Sequence, residues 1–148
     1  MKIGDSTYFF TTTEENTKNK NIIKYIHAKP SRQSAWQIYL LYRSENMMPV
    51  FWHAAYDSKH FIFDESDVNE IEPLKCFDVL ALSDSNLLLP NVEMAEDGLR
   101  ADVFCTYWNN WEGLVREHIK ITYNPDNTVD IKELDSLTLF NYKCDFIL

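Results

Sequence analysis

Between Ala101 and Tyr123 the chain alternates with a period of two on either side of a polar corner. Val103, Cys105 and Tyr107 alternate with Phe104, Thr106 and Trp108. After the corner Trp108-Asn109-Asn110-Trp111-Glu112, Ile119, Ile121 and Tyr123 alternate with His118, Lys120 and Thr122. Such alternation is that of half-buried strands and predicts two long strands joined as a hairpin. A second turn follows at Asn124-Pro125-Asp126-Asn127-Thr128. Pro125 suits the first central position of a type I turn, Asp126 the next, and Asn127 tolerates the left-handed conformation that closes a three-residue hairpin loop. The register implied sets Tyr123 against Val129 and Ile121 against Ile131, with apolar side chains on one face.

The rest of the chain reads as shorter strands. Residues 6–13 are β-branched and aromatic, residues 14–21 hold no apolar side chain, and residues 22–28 fit either a helix face or a strand, here taken as a strand. After the break at Pro30, residues 35–43 read as another strand. Residues 50–56 and 61–64 form a hairpin that pairs Tyr56 with Phe61 and His53 with Asp64 and puts Trp52, Ala54, Tyr56, Phe61 and Phe63 on one face. Residues 65–72 make one helical turn that Pro73 stops. Residues 76–83 and 87–92 are two more strands, the second pushed to an edge by Pro90. A turn over residues 93–98 leads into the long hairpin, and a last strand spans residues 137–148. The fold class expected is mainly β: an antiparallel sandwich or barrel of about nine strands with at most one or two short helices. The hairpins over residues 50–64 and 101–134 are its frame, and an α+β fold with a helix near residues 14–28 is the alternative.

With 148 residues, 3 Gly and 5 Pro, the expectation is one ordered domain, 1–148. No apolar run reaches the length of a signal sequence or a membrane span, which points to a soluble, cytoplasmic protein. Cys76, Cys105 and Cys144 are odd in number and each lies in an apolar run, so they are expected as buried free thiols. Charge changes the picture more. The net −9 is concentrated: residues 62–102 carry eleven acids and two bases, whereas residues 1–61 carry five acids and eight bases, and residues 103–148 seven and four. A field of one sign over this stretch repels nucleic acid and steers a basic partner.

Chemical motifs are scarce. His53 opposite Asp64, with His60 nearby, is the closest approach to a general-base pair, but no nucleophile motif accompanies it and a solvated ion pair accounts for it. Arg116-Glu117-His118 reads as the polar side of a strand. Neither metal-ligand spacing nor a Gly-rich phosphate loop occurs, so no cofactor or metal is expected. Trp108 is expected in the core and Trp111 exposed as an interaction residue. The partner-binding residues predicted are therefore Asp64, Glu65, Asp67, Glu70, Glu72, Glu96, Asp97 and Trp111.

In size, acidity, absence of a site motif and cysteine usage, the whole chain resembles the small immunity proteins that bacteria encode beside secreted nuclease toxins, including those of contact-dependent inhibition systems. The resemblance is one of general character and carries over no family residue. It implies a non-enzymatic cytoplasmic inhibitor that binds a basic toxin domain, its carboxylates standing in for nucleic-acid phosphates, with no direct contact to nucleic acid or membrane. The rival classes are a small-ligand-binding β-barrel or sandwich, which needs an apolar interior cavity, and an enzyme, which needs a pocket gathering His53, His118 and a carboxylate.

Overall fold

The computed structural model describes residues 2–3, 6–7, 22–47, 59–75 and 85–142. A small ribbon pairs β1 (Lys2–Ile3) with β2 (Ser6–Thr7). The main sheet is antiparallel and has six strands among the described residues. Its centre is the long hairpin of β5 (Arg100–Asn109) and β6 (Gly113–Tyr123), paired over its whole length from Arg100↔Thr122 to Asn109↔Gly113. Two short strands lie end to end along the outer side of β5. β4 (Asn91–Met94) covers residues 101–104 and β3 (His60–Ile62) covers residues 106–108. On the outer side of β6, β7 (Val129–Glu133) covers residues 119–123 and β8 (Leu137–Phe140) covers residues 114–116. The path is open, running from β3 to β7, and does not close into a barrel.

Burial follows the two halves of this ladder. At the β4–β7 half Ala101, Val103, Ile119 and Ile121 are buried while Asp102, Phe104, His118 and Lys120 are half-exposed, the alternation of a sheet covered on one face. At the hairpin-turn half alternation disappears, and every residue from Cys105 to Asn109 and from Gly113 to Glu117 is buried. Here the sheet is covered on both faces. One face packs Ala101, Val103, Cys105, Ile119 and Ile121 under α1 (Arg32–Met47) through Ala35, Ile38 and Tyr39. The other packs Trp108, Leu114 and Ile62 under Val68, Ile71, Leu74 and Leu88. These come from three short helices, α2 (Glu65–Glu70), α3 (Glu72–Lys75) and α4 (Ser85–Leu88), and from Ile71 between the first two. Each such side chain contributes about 1.5–3 kcal/mol on burial.

The second turn is as read from the sequence. Asn127 has φ 64, and Tyr123↔Val129 and Ile121↔Ile131 are the observed partners. Elsewhere the structure corrects the reading. Residues 35–43 are not a strand but the middle of the sixteen-residue helix α1. Ala35, Ile38 and Tyr39 recur at helical spacing and form its buried face. Its start is signalled locally: Ser31 follows Pro30, its Oγ accepts from Ser34 N at 3.0 Å, and its carbonyl takes the first helical bond from Ala35. Residues 22–28 are a 3₁₀ turn (Ile22–Tyr25) followed by a single bridge, His27↔Thr128. Pro73 does not stop the acidic helix but stands at the second position of α3, where its fixed φ suits a first turn. Leu87 and Leu88 end a helical turn, and the strand begins only after Pro90, at Asn91. The final strand ends at Phe140. In β3 the fully buried residue is Ile62, on the face opposite Phe61, because this half of the sheet is covered on both sides. Residues 50–58, with His53, residues 76–84, with Cys76, and residues 143–148, with Cys144, lie outside the described residues, as do residues 8–21. Cys105 is a free, buried thiol.

Candidate functional site

Two groups of charged side chains flank the hairpin-turn half of the sheet. The first is buried. Glu117 faces α1 from β6, where it accepts the Tyr39 phenol at 2.5 Å and a two-pronged bond from Arg43, Nε at 2.9 Å and Nη2 at 2.6 Å. Tyr39 and Arg43 are one helical turn apart and so share a face of α1. Arg43 Nη1 continues to Glu133 Oε1 at 2.8 Å, which also accepts Tyr42 at 3.0 Å. Lys59 Nζ approaches Glu117 at 3.6 Å while lying 3.9 Å over the ring of Tyr107. Burial, with the neighbouring Cys105 thiol and the Glu117 carboxylate, pushes the Tyr39 phenol far up, so it stays a donor. Burial likewise raises the Cys105 thiol to about 11 despite a hydrogen bond with Tyr39 that pulls the other way. For Arg43 burial works against the charge, but the Glu117 carboxylate outweighs it and the guanidinium is held more firmly charged. A carboxylate so saturated, beside a protonated phenol and a protonated thiol, offers no base and no nucleophile; it anchors α1 to the sheet.

The next residue, Arg116, faces the other way. It is buried, donates to Leu87 O, to Leu89 O at 3.1 Å and to Thr106 Oγ1 at 3.5 Å, and lies over Phe104. Thr106 Oγ1 itself donates to Leu87 O at 2.8 Å. A cation against the last carbonyls of α4 complements its C-terminal end, while burial lowers its proton affinity. The triplet Arg116-Glu117-His118 is thus not a polar strand face. Its first two members are buried on opposite sides, and His118 Nε2 meets Asp102 Oδ1 at 2.7 Å while stacking on Phe104.

The second group surrounds a concavity of about 500 Å³ along β3, lined by Phe61, Phe63 and Trp108, by the carboxylates of Asp67, Glu70 and Glu72, and by Lys59, His60, Ile71 and Asn110. Trp108 and Ile71 are buried, Phe61 half-buried, and Phe63, Glu70 and Glu72 exposed. Local chemistry builds this acidic wall. Asp64 caps α2 through Ser66 N at 2.7 Å, and Asp67 Oδ2 reaches back to Asp64 N at 3.0 Å and Phe63 N at 2.6 Å, a reciprocal capping box. The hydrogen bonds from Ser66 hold the Asp64 carboxyl below its usual range.

The turn between β5 and β6 adjoins the same concavity through Trp108 and Asn110. Buried Asn109 accepts from Trp111 N at 2.7 Å and Glu112 N at 3.3 Å, Trp108 Nε1 donates to Asn110 Oδ1 at 3.0 Å, and Tyr107 donates to Glu112 at 2.9 Å. Gly113, with φ +86, permits the close passage of residues 140–142. Trp111 is held outward, 47% exposed, and Trp108 is in the core at 2%.

Of the residues predicted from sequence, the fold therefore gathers Asp67, Glu70 and Glu72 in one concavity, with Asp64 and Glu65 at the start of the same helix and Trp111 on the adjoining turn. Glu96 and Asp97 lie elsewhere, in the β4–β5 turn about 30 Å away along β5. There Asp97 is engaged by Arg100 at 2.8 Å and Leu99 N at 2.9 Å. The Tyr39, Arg43 and Glu117 group was missed. Its signal was the spacing Ala35, Ile38, Tyr39, Arg43 read at helical period, which marks the α1 side of the group alone. Among the described residues no group of three or more His, Cys, Asp or Glu is arranged to hold a metal ion, and no helix is long and apolar enough to cross a membrane. Comparison with protein-family models, with curated proteins and with solved structures finds no match.

Proposed function

We propose that this chain is a protein-binding inhibitor of the immunity type, acting in the cytoplasm by covering the active surface of a basic, nuclease-type toxin domain. One observation carries the reading: three carboxylates from the acidic stretch, Asp67, Glu70 and Glu72, line a concavity with Phe61, Phe63 and Trp108, next to the turn that displays Trp111. An interface core built on aromatic anchors within an acidic field suits a basic partner, the rings supplying contact energy and the carboxylates steering and short charge-assisted hydrogen bonds. The surface proposed is narrower than the full acidic stretch. It comprises Asp64, Glu65, Asp67, Glu70, Glu72 and Trp111, whereas Glu96 and Asp97 face another end of the sheet and contribute only to the long-range field.

The test uses the basic domain that this reading expects to be encoded beside the gene. Replacing Glu65, Glu70 and Glu72 by Gln, singly and together, should slow its association and flatten the salt dependence, with at least one position losing about tenfold or more in affinity through faster dissociation. Trp111→Ala should weaken binding without changing the salt dependence. Glu96→Gln should alter the association rate alone. Unchanged affinity of the triple variant at both low and high salt would overturn the reading.

A further inference from the structure

We infer that the uncovered half of the main sheet is a docking surface for a second copy of this chain, the two sheets stacking face to face about a two-fold axis that crosses the strands. The inference goes beyond the function proposed above and does not depend on it.

The surface begins where the helical cover stops. Residues of α2, α3 and α4 pack on the face that carries Trp108 and Leu114, over the hairpin-turn half. Past Arg116 the same face opens, with Asp102 and Phe104 half-exposed and Arg100, Asp130 and Lys132 exposed. Strand register sorts the charges here into two adjacent rows. One row runs Glu93, Asp102, Lys120, Lys132 from β4 to β7, and the next runs Arg100, Thr122, Asp130. Along β5 Arg100 therefore stands two residues from Asp102, and along β7 Asp130 stands two residues from Lys132, each pair on one face. Both strands thus carry the two signs side by side.

That arrangement is complementary to itself. A two-fold axis crossing the strands midway between the rows lays β5 on β5 and β7 on β7 of the second copy, running in opposite directions. Arg100 then meets Asp102 and Asp130 meets Lys132 of the second copy, each contact made twice, while Lys120 meets the neutral Thr122. A two-fold along the strands is excluded by shape. It would bring both α2–α4 layers over each other, and stacked sheets about 10 Å apart leave no room for them. With the axis across the strands, each helical layer instead lies beyond the Asn124–Thr128 end of the other sheet. Recognition centres on β7, because Arg100 and Asp102 already have ion-pair partners in their own chain, Asp97 and His118. Asp130 takes the Asn124 amide at 3.0 Å, and among the described residues neither Asp130 nor Lys132 forms an ion pair. The overlap of four strands is roughly 19 Å by 30 Å, on the order of 600 Å² per copy. This is the small end of specific interfaces and implies a weak dimer, with a dissociation constant of about 10–100 μM.

The test is a charge exchange on β7, read by sedimentation equilibrium of the full chain up to about 500 μM. Salt is held at about 0.15 M, where a Debye length of about 8 Å screens repulsion between two chains of net charge −9 but not side chains in contact. The parent should dimerise. Asp130→Lys and Lys132→Glu each set like charges against one another across the axis, and each should weaken the dimer about tenfold or more. Asp130→Lys makes the chain less negative, so net charge alone would strengthen its association, the opposite of the result expected. An equimolar mixture of the two variants should dimerise within about threefold of the parent, as should the doubly exchanged Asp130→Lys/Lys132→Glu chain, since opposite charges then face each other again. All positions changed are exposed, so melting temperatures should match the parent's. A parent that stays monomeric throughout, single variants that associate like the parent, or a mixture no tighter than either variant alone would each overturn the inference. So would concentration-dependent amide shifts confined to residues outside β4–β7.

Discussion

Two sets of carboxylates lie at the same half of the sheet, each beside aromatic rings, and burial gives them opposite duties. Glu117 is inside: its side chain is 6% exposed and its oxygens are taken by Tyr39, Arg43 and Lys59. Glu70 and Glu72 stand in the open at the concavity. A buried charge is tolerable only when fully paired, so the first set is committed to the fold; an exposed one costs almost nothing to keep. The acidic character of the chain says little by itself, and the accessibility of each acid decides what it does.

That contrast breaks most sharply at Glu117. Glu117→Gln leaves the largely buried Arg43 guanidinium facing an amide, and should destabilise the protein by about 3–5 kcal/mol in denaturant unfolding. Replacing the pair together, Arg43→Met with Glu117→Leu, should cost clearly less than the single change, because no buried charge is left unpaired there. An equal or greater loss would show that the knot stabilises through its hydrogen bonds rather than merely avoiding an unpaired charge. Next in size is Gly113→Ala. Its φ of +86 disfavours a side chain, and a Cβ would strike the Phe140 carbonyl and stand 2.6 Å from Tyr142 N. A loss of about 2–3 kcal/mol is expected, with β8 loosened and exchange of its amide protons accelerated.

Smaller effects sharpen the comparison by pH and reactivity. Burial alone would raise the Glu133 carboxyl, but the Arg43 charge and the bonds from Tyr42 and Arg43 bring it below its usual value. A depressed carboxyl stabilises the fold above its unfolded pKa of about 4.3, and the contribution fades as pH falls from there through the folded value. Since the Glu133 side chain is 53% exposed, the effect is held by solvent screening to under about 1 kcal/mol, visible as a flatter acid limb in Glu133→Gln. Cys105, with a thiol raised to about 11, should react with a thiol reagent at neutral pH only as fast as the protein opens. The smallest change in stability is expected for Glu70→Gln, whose melting temperature should match the parent's, since the Glu70 side chain is exposed. A large drop in melting temperature would move this carboxylate into the class of Glu117.

How far the sequence reaches follows from which interactions are local. The turn at residues 124–128 and the pairing of Ile121 with Ile131 were legible because Pro125, Asp126 and Asn127 specify their own backbone and the register follows from them. The β5–β6 hairpin was legible from its alternation, and Trp111 as an exposed side chain from its place on the corner. Residues 35–43 were not, since Ala35, Tyr39 and Arg43 fit a period of two as well as one of 3.6, and only the apolar face of the sheet selects the helix that buries Ala35, Ile38 and Tyr39. The duty of each acid was also beyond reach. Glu117 is paired with Arg43, 74 residues away, and nothing next to it in the chain marks it as buried rather than solvated like Asp130. Local backbone preference is written residue by residue in the sequence, whereas the environment of a charge is the sum of groups brought from distant parts of the chain, and tertiary packing alone supplies it.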